Sequence, residues 1–269
     1  MSIEQIIILA IVQGLTEFLP ISSSGHLLLI PALTDWPDQG VVTDVMVHVG
    51  SLLAVIVYFW KDVLNLIRGT GDLASRRDTA NSRMALYIAL ATIPALAFGG
   101  FLKLSGVIDL IRSVEVVAWN AVIFGVLLWV ADVAGKRTKV MENMTLQPAL
   151  VIGFAQAIAL IPGTSRSGIT MTAARFLGFE RAEAARFSFL LGIPAIAAAG
   201  AFTAIELVQL KEAIPVDALL AAGLTFFAAL AAITLLMALV KRVGFFIFMI
   251  YRLALAAVLF YFVIYAGQI

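Results

Sequence analysis

Two polar runs of similar make-up interrupt otherwise apolar sequence. The first is Ser22-Ser23-Ser24-Gly25-His26, preceded by Gln13, Glu17 and Pro20. The second is Pro162-Gly163-Thr164-Ser165-Arg166-Ser167-Gly168-Ile169-Thr170. Gln13 and Glu17 are four residues apart and share one helix face. An isolated carboxylate is costly to bury, and ionisable residues at membrane depth mark working sites by default. Glu17 therefore calls for a cation, either a metal or Arg166; capping a nearby turn is the plainer alternative. Serines ahead of an apolar helix favour the N-cap, which explains Ser22, Ser23 and Ser24 structurally. The same capped N-terminus, with its free N–H groups, is also an anion site. His26 adds a side chain of the type that titrates near neutral pH. Arg166 offers a guanidinium suited to bidentate phosphate binding, among the hydroxyls of Thr164, Ser165, Ser167 and Thr170. Such an arginine can instead snorkel to an interface, but the tip of a break is a poor place from which to do so. The combined inventory describes a phosphate-handling site.

Composition sets the medium in which these residues work. The 269-residue chain is 62% hydrophobic and only 13% charged, with a mean hydropathy of +1.04. Ordinary soluble domains are about half apolar and about a quarter charged. A surface this apolar requires lipid as its solvent. The chain has no cysteine, which excludes disulfides, thiolate metal sites and cysteine nucleophiles. The net charge of +1 points to no partner, and there is no Walker-type phosphate loop, zinc-binding His-Glu-x-x-His pattern or nucleic-acid patch. The first residues lack basic side chains and a cleavage site, which argues against a removable signal peptide.

Stretches of about 20 apolar residues cross a bilayer as helices. Six are clear, at 41–60, 84–102, 116–134, 186–207, 218–240 and 244–266. Two more, 3–33 and 148–177, are broken by the polar runs. Proline there resists helix continuation, and irregular backbone at membrane depth survives only inside protein or along a wet cavity. Each broken stretch is thus expected to be two half-helices joined by a turn. Loop charge sets orientation, because Lys and Arg concentrate on the cytoplasmic side. The segment 61–83, with Lys61, Arg68, Arg76, Arg77 and Arg83, reads as a cytoplasmic loop. Lys136, Arg137 and Lys139, then Arg175, Arg181 and Arg186, then Lys241 and Arg242 form further basic groups. The intervening connections hold only Lys103, Arg112 and Lys211, and Asp35, Asp38 and Asp44 mark an outer connection. The six clean spans alternate without conflict, and the two broken segments then fit re-entrant hairpins entering from opposite faces.

Each half therefore reads as one hairpin followed by three spans, an odd number that inverts the second copy. A shift of 143 residues pairs Gln13 with Gln156, Ser22 with Ser165, Ser24 with Ser167 and Gly25 with Gly168. A shift of 142 pairs Pro20 with Pro162 and Gly50 with Gly192. The fold expected is all-α and integral to the membrane: six transmembrane helices plus two re-entrant helical hairpins in an inverted-topology repeat. It forms a single membrane domain, 1–269, with halves at roughly 1–135 and 148–269. Inverted repeats place sites near the midplane, with broken-helix N-termini aimed at anions. His48 has as good a case for packing as for chemistry, Asp132 and Arg252 read as structural pairs near span ends, and the aromatic segment 245–265 reads as lipid-facing surface.

These residues closely resemble the undecaprenyl-diphosphatase family, the bacitracin-resistance type of lipid pyrophosphatase. Gln13 and Glu17 match its Glu/Gln-x-x-x-Glu motif, Ser22 to His26 its serine-rich turn ending Gly-His, and Pro162, Gly163, Ser165, Arg166, Ser167 and Thr170 its Pro-Gly-x-Ser-Arg-Ser-x-x-Thr motif. The resemblance spans essentially the whole chain. It implies hydrolysis of undecaprenyl diphosphate to undecaprenyl phosphate and inorganic phosphate, which recycles a carrier for peptidoglycan and confers bacitracin resistance. It also implies a divalent cation, Mg²⁺ or Ca²⁺, and a site facing the outer, periplasmic side of the bacterial cytoplasmic membrane. Gln13 stands where some relatives carry Glu, which removes one charge from a metal site built on Gln13 and Glu17. On this expectation Gln13, Ser22, Ser24, Gly163, Ser165, Ser167 and Thr170 bind the substrate. Glu17 and Arg166 are catalytic, Ser23 is the nucleophile and His26 its proton partner, with direct attack by water as the alternative. The expected partners are the lipid substrate and membrane lipids, not nucleic acid; a homodimer is left open. Two other readings compete. A type-2 phosphatidic-acid phosphatase shares Ser-Gly-His and Ser-Arg elements but needs a histidine after its Ser-Arg, and none follows Arg166. A prenyl-phosphate flippase would use the same inverted-repeat architecture.

Overall fold

The computed structural model describes residues 1–34, 36–37, 39–107, 111, 113–210 and 214–266. Asp35, Asp38, Arg112 and Lys211, used above to orient the loops, lie outside the described residues. The regular structure is helical, with no strand among the described residues. In chain order the helices are α1 (Ile3–Phe18), α2 (Ser23–Leu33), α3 (Gly40–Tyr58), α4 (Trp60–Ala74), α5 (Ala80–Ser105), α6 (Val114–Ala134), α7 (Leu146–Ile158), α8 (Arg166–Phe176), α9 (Arg181–Leu210), α10 (Val216–Leu239) and α11 (Phe246–Tyr261).

Among the described residues six helices are long and apolar enough to cross a membrane, and they coincide with the six clean stretches read from sequence. The chain is a multi-pass membrane protein. Its outer surface is apolar, with Trp119, Ile123, Leu220 and Phe227 among the exposed side chains, as expected where lipid replaces water. Both broken stretches are split where expected, between α1 and α2 and between α7 and α8. The segment 61–83 differs from expectation. Residues 60–74 form helix α4, which packs along α5, with Gly69 against the backbone of Asn81. Leu66 and Gly69 lie on its packed side while Trp60, Leu64 and Ile67 are exposed; the count of basic residues masked this amphipathic pattern.

Small residues let helices approach closely where no hydrophobic effect drives them together. A Cβ on Gly50 of α3 would fall 2.2 Å from the Ala222 carbonyl of α10, and one on Gly153 of α7 would fall 2.2 Å from that of Ala91 in α5. Helix α10 thus packs on both α1 and α3, α7 packs on α5, and α11 on α6, while α8 sits among α6, α7 and α9. This arrangement surrounds both helix breaks with protein.

Candidate active site

The two breaks end in the same local structure. Ser22 caps α2 with φ 74°, and Ser165 caps α8 with φ 72°. Each serine Oγ accepts from a glycine N–H three residues on, Gly25 at 3.4 Å and Gly168 at 3.1 Å. Each also lies 3.3 Å from the hydroxyl two residues on, Ser24 and Ser167 respectively. A non-glycine residue in the left-handed region costs roughly 1–3 kcal/mol and clusters at functional sites. In this shared turn Ser23 and Arg166 hold equivalent positions, the first residue of each helix. One copy presents a hydroxyl and the other a guanidinium.

Both converge on Glu17. Its Oε1 accepts from Arg166 Nη2 at 2.9 Å, and its Oε2 accepts from Ser23 Oγ at 2.6 Å and from Gln13 Nε2 at 3.2 Å. Glu17 is 6% exposed, so its charge is compensated by the arginine and by hydrogen bonds rather than by water. Arg166 is braced by Nη1 donating to the Ser188 carbonyl at 3.2 Å. Thr170 supports the same corner, donating to the Arg166 carbonyl at 2.8 Å and lying 2.6 Å from the Ser188 hydroxyl. Ser167 donates to the Leu19 carbonyl at 3.1 Å, tying one break to the other.

A cavity of about 320 Å³ opens over this cluster. Glu17, Ser22, Ser23, Ser24, Ser165 and Arg166 form its polar wall, and Leu160, Ile196 and Gly200 belong to its apolar wall. The remaining sequence-predicted residues stand elsewhere. Gln13, Ser167 and Thr170 are fully buried behind the wall. Gly163, at φ 85°, presses against the Val117 backbone, where a Cβ would fall 2.7 Å away; its part is to allow that approach. His26 lies outside the cavity lining. Its Nδ1 is 2.7 Å from the Ser22 carbonyl, its Nε2 is 2.7 Å from the Tyr251 hydroxyl, and its ring stacks on that tyrosine. Ser23 therefore has Glu17, not His26, as its hydrogen-bond partner.

Sequence reading did not assign His48, Asp44, Ser188 or Gly192 to the site. His48 lines the cavity with Nε2 3.5 Å from Glu17 Oε2, and Asp44 lines it one turn earlier. A Cβ on Gly192 would fall 2.0 Å from Arg166 Nη1, so this glycine makes the space in which the guanidinium lies. The signals were faint: one of two histidines, and the repeat pairing of Gly50 with Gly192. Asp132 does pair structurally, with Arg175 at 3.1 Å and Arg181 at 2.6 Å. Arg252 was expected near a span end; it is wholly buried and bonds backbone carbonyls instead.

Among the described residues no cluster of three or more His, Cys, Asp or Glu could hold a metal by itself. Gln13 Oε1 is nevertheless buried without a hydrogen-bond partner beside Glu17. An orphaned amide oxygen, a carboxylate and serine hydroxyls form an all-oxygen donor set, which suits a hard cation completed by phosphate oxygens.

Fold and site together define a multi-pass membrane protein with a Glu–Arg–Ser constellation, built on a buried carboxylate, at two converging helix N-termini. The chain belongs to the bacitracin resistance protein BacA family, whose model matches residues 6–258. It is similar to the undecaprenyl-diphosphatase of Jannaschia sp., 49% identical over 96% of this chain and 98% of that one. The undecaprenyl-diphosphatase of Erythrobacter litoralis is 48% identical over 96% and 99%, and that of Alteromonas mediterranea 48% over 98% and 99%.

Proposed function

We propose that this chain hydrolyses undecaprenyl diphosphate to undecaprenyl phosphate and inorganic phosphate, which replenishes the lipid carrier for cell-wall polymers and confers bacitracin resistance. The observation that carries the reading is the convergence of Ser23, Glu17 and Arg166 at one cavity in a lipid-solvated protein. The matched relatives bear a hydrolase name, which does not favour a flippase.

The chemistry follows from the contacts. Ser23 Oγ attacks the terminal phosphorus while Glu17 Oε2, already accepting its proton at 2.6 Å, removes that proton. The bond from that phosphorus to the bridging oxygen breaks. Undecaprenyl phosphate leaves and takes up the proton from Glu17. Water then attacks the phosphoserine, losing its proton to Glu17, and as the P–Oγ bond breaks Glu17 hands that proton to Ser23 Oγ, freeing inorganic phosphate and restoring the serine and the carboxylate. Arg166 and the amides at the start of α2 and α8 hold the phosphoryl oxygens, because phosphoryl transfer is catalysed chiefly by positioning and electrostatics. A Mg²⁺ or Ca²⁺ ion, held by Glu17 and Gln13 Oε1, would neutralise diphosphate charge.

The matched caps at Ser22 and Ser165 support two re-entrant hairpins in an inverted repeat. So does the packing, since α1 lies on the second span of the other half (α10) and α7 on α5. The family match supports placement in the bacterial cytoplasmic membrane, and loop charge supports a cavity open to the outer side. The test is phosphate release from undecaprenyl diphosphate by purified protein in detergent. Release that disappears in Glu17→Ala and Arg166→Ala is expected; tight lipid binding without turnover in the parent would overturn the reading.

A further inference from the structure

Arg252 lies in α11 and is 0% exposed. Its Nε donates to the Ala121 carbonyl at 3.1 Å. Its Nη1 donates to the carbonyls of Pro20 at 3.3 Å and Thr164 at 3.0 Å. Its Nη2 donates to those of Asn120 at 2.9 Å and Gly163 at 2.8 Å. A guanidinium has five N–H donors, and each is engaged here. Two acceptors lie on α6, one in the first break and two in the second. Among the described residues no carboxylate forms an ion pair with Arg252. A buried cation without a counter-ion is expensive, so plain packing is a poor account of it. Backbone in a helix break has carbonyls that helical bonding leaves unpaired, and this one side chain gathers them from both breaks. Asn120 adds a bond from the same wall, Nδ2 donating to the Pro162 carbonyl at 2.7 Å. Because a trans peptide sets N–H opposite C=O, holding the Thr164 carbonyl turns the Ser165 N–H away from Arg252.

We infer that Arg252 is a positioning residue: it locks the two serine-capped breaks into one frame and so sets Ser23 and Arg166 in register. The inference rests on the phosphatase reading for its kinetic arm only. Lysine keeps the charge but brings three donors without the fork, so Arg252→Lys leaves carbonyls in the breaks unmet. The experiment pairs phosphate release with amide hydrogen exchange on the purified full-length protein. In Arg252→Lys, exchange is expected to rise at least ~10-fold in both 19–26 and 162–169 together, and kcat per folded molecule to fall about 100-fold, the scale of a 1 Å misplacement. Exchange unchanged at either break, or kcat within about threefold of an active parent, would overturn the proposal. An inactive parent whose two breaks still loosen in the variant would sink the phosphatase reading and leave the frame standing. If Arg252→Lys does not fold, native-state exchange of the parent decides: 19–26 and 162–169 open together with one denaturant dependence if Arg252 ties them into one frame, and separate openings reject it.

Discussion

Glu17 accepts from an arginine, a serine and an amide while almost sealed from water. Its two oxygens have separate partners, Arg166 on Oε1 and Ser23 on Oε2, so charge balance and proton transfer need not compete. Glu17→Gln keeps the shape and removes the base; kcat should fall by ~10²–10⁴, read as phosphate release from protein with an unchanged elution profile. Ser23→Ala should abolish both turnover and trapping of a phosphoenzyme mapped to residue 23. Substantial remaining turnover would return the attack to water. His26 is predicted to act through Ser22, whose carbonyl it holds. Asparagine can place an amide nitrogen near the position of Nδ1, so activity should rank parent, then His26→Asn, then His26→Ala. A proton-partner role would make the two variants equally poor.

Helices supply the precision that loops would not. Helix α9 carries Ser188, which accepts from Arg166, and Gly192, which leaves it room. Gly192→Ala puts a methyl at the guanidinium, and kcat should fall about 100-fold if Arg166 moves by 1 Å, with little change in thermal midpoint. The opposite profile is expected at Asp132. It accepts from Arg175, Arg181 and the Phe245 N–H, joining α6, α8, the start of α9 and the entry to α11. Breaking a buried pair leaves an uncompensated charge and costs roughly 3–5 kcal/mol. Asp132→Asn should lower the midpoint of thermal unfolding in detergent while folded molecules keep their turnover. Helix breaks and spans were legible in the sequence because proline, serine and apolar run length act locally. Gly192 was visible only as a weak repeat match, because its reason is a side chain 26 residues away along the chain.

At the scale of the molecule, two copies of one serine-capped turn come together and each serves a different purpose. The absence of native cysteine makes the topology directly testable. Single cysteines at Gln39 and Ser24 should react with a membrane-impermeant maleimide added outside cells. Those at Arg77, Lys136 and Lys241 should react only after the membrane is opened. Labelling of Arg77→Cys from outside would reverse the assignment and put the cavity on the other face.

The feature that sequence determined by itself is the solvent. Apolar run length and loop charge are properties of short windows, so they specify six spans, two breaks and the residue types at each break without knowledge of packing. Who touches whom was decided by tertiary structure. Serine, histidine and glutamate near one break allow several proton partners, and only the packing of the two turns gives Ser23 to Glu17 and His26 to Tyr251. Arg252 shows the same limit. From its sequence neighbourhood it is an arginine in an apolar segment; its five acceptors come from three distant stretches of chain, and a long-range contact of that kind has no local signature.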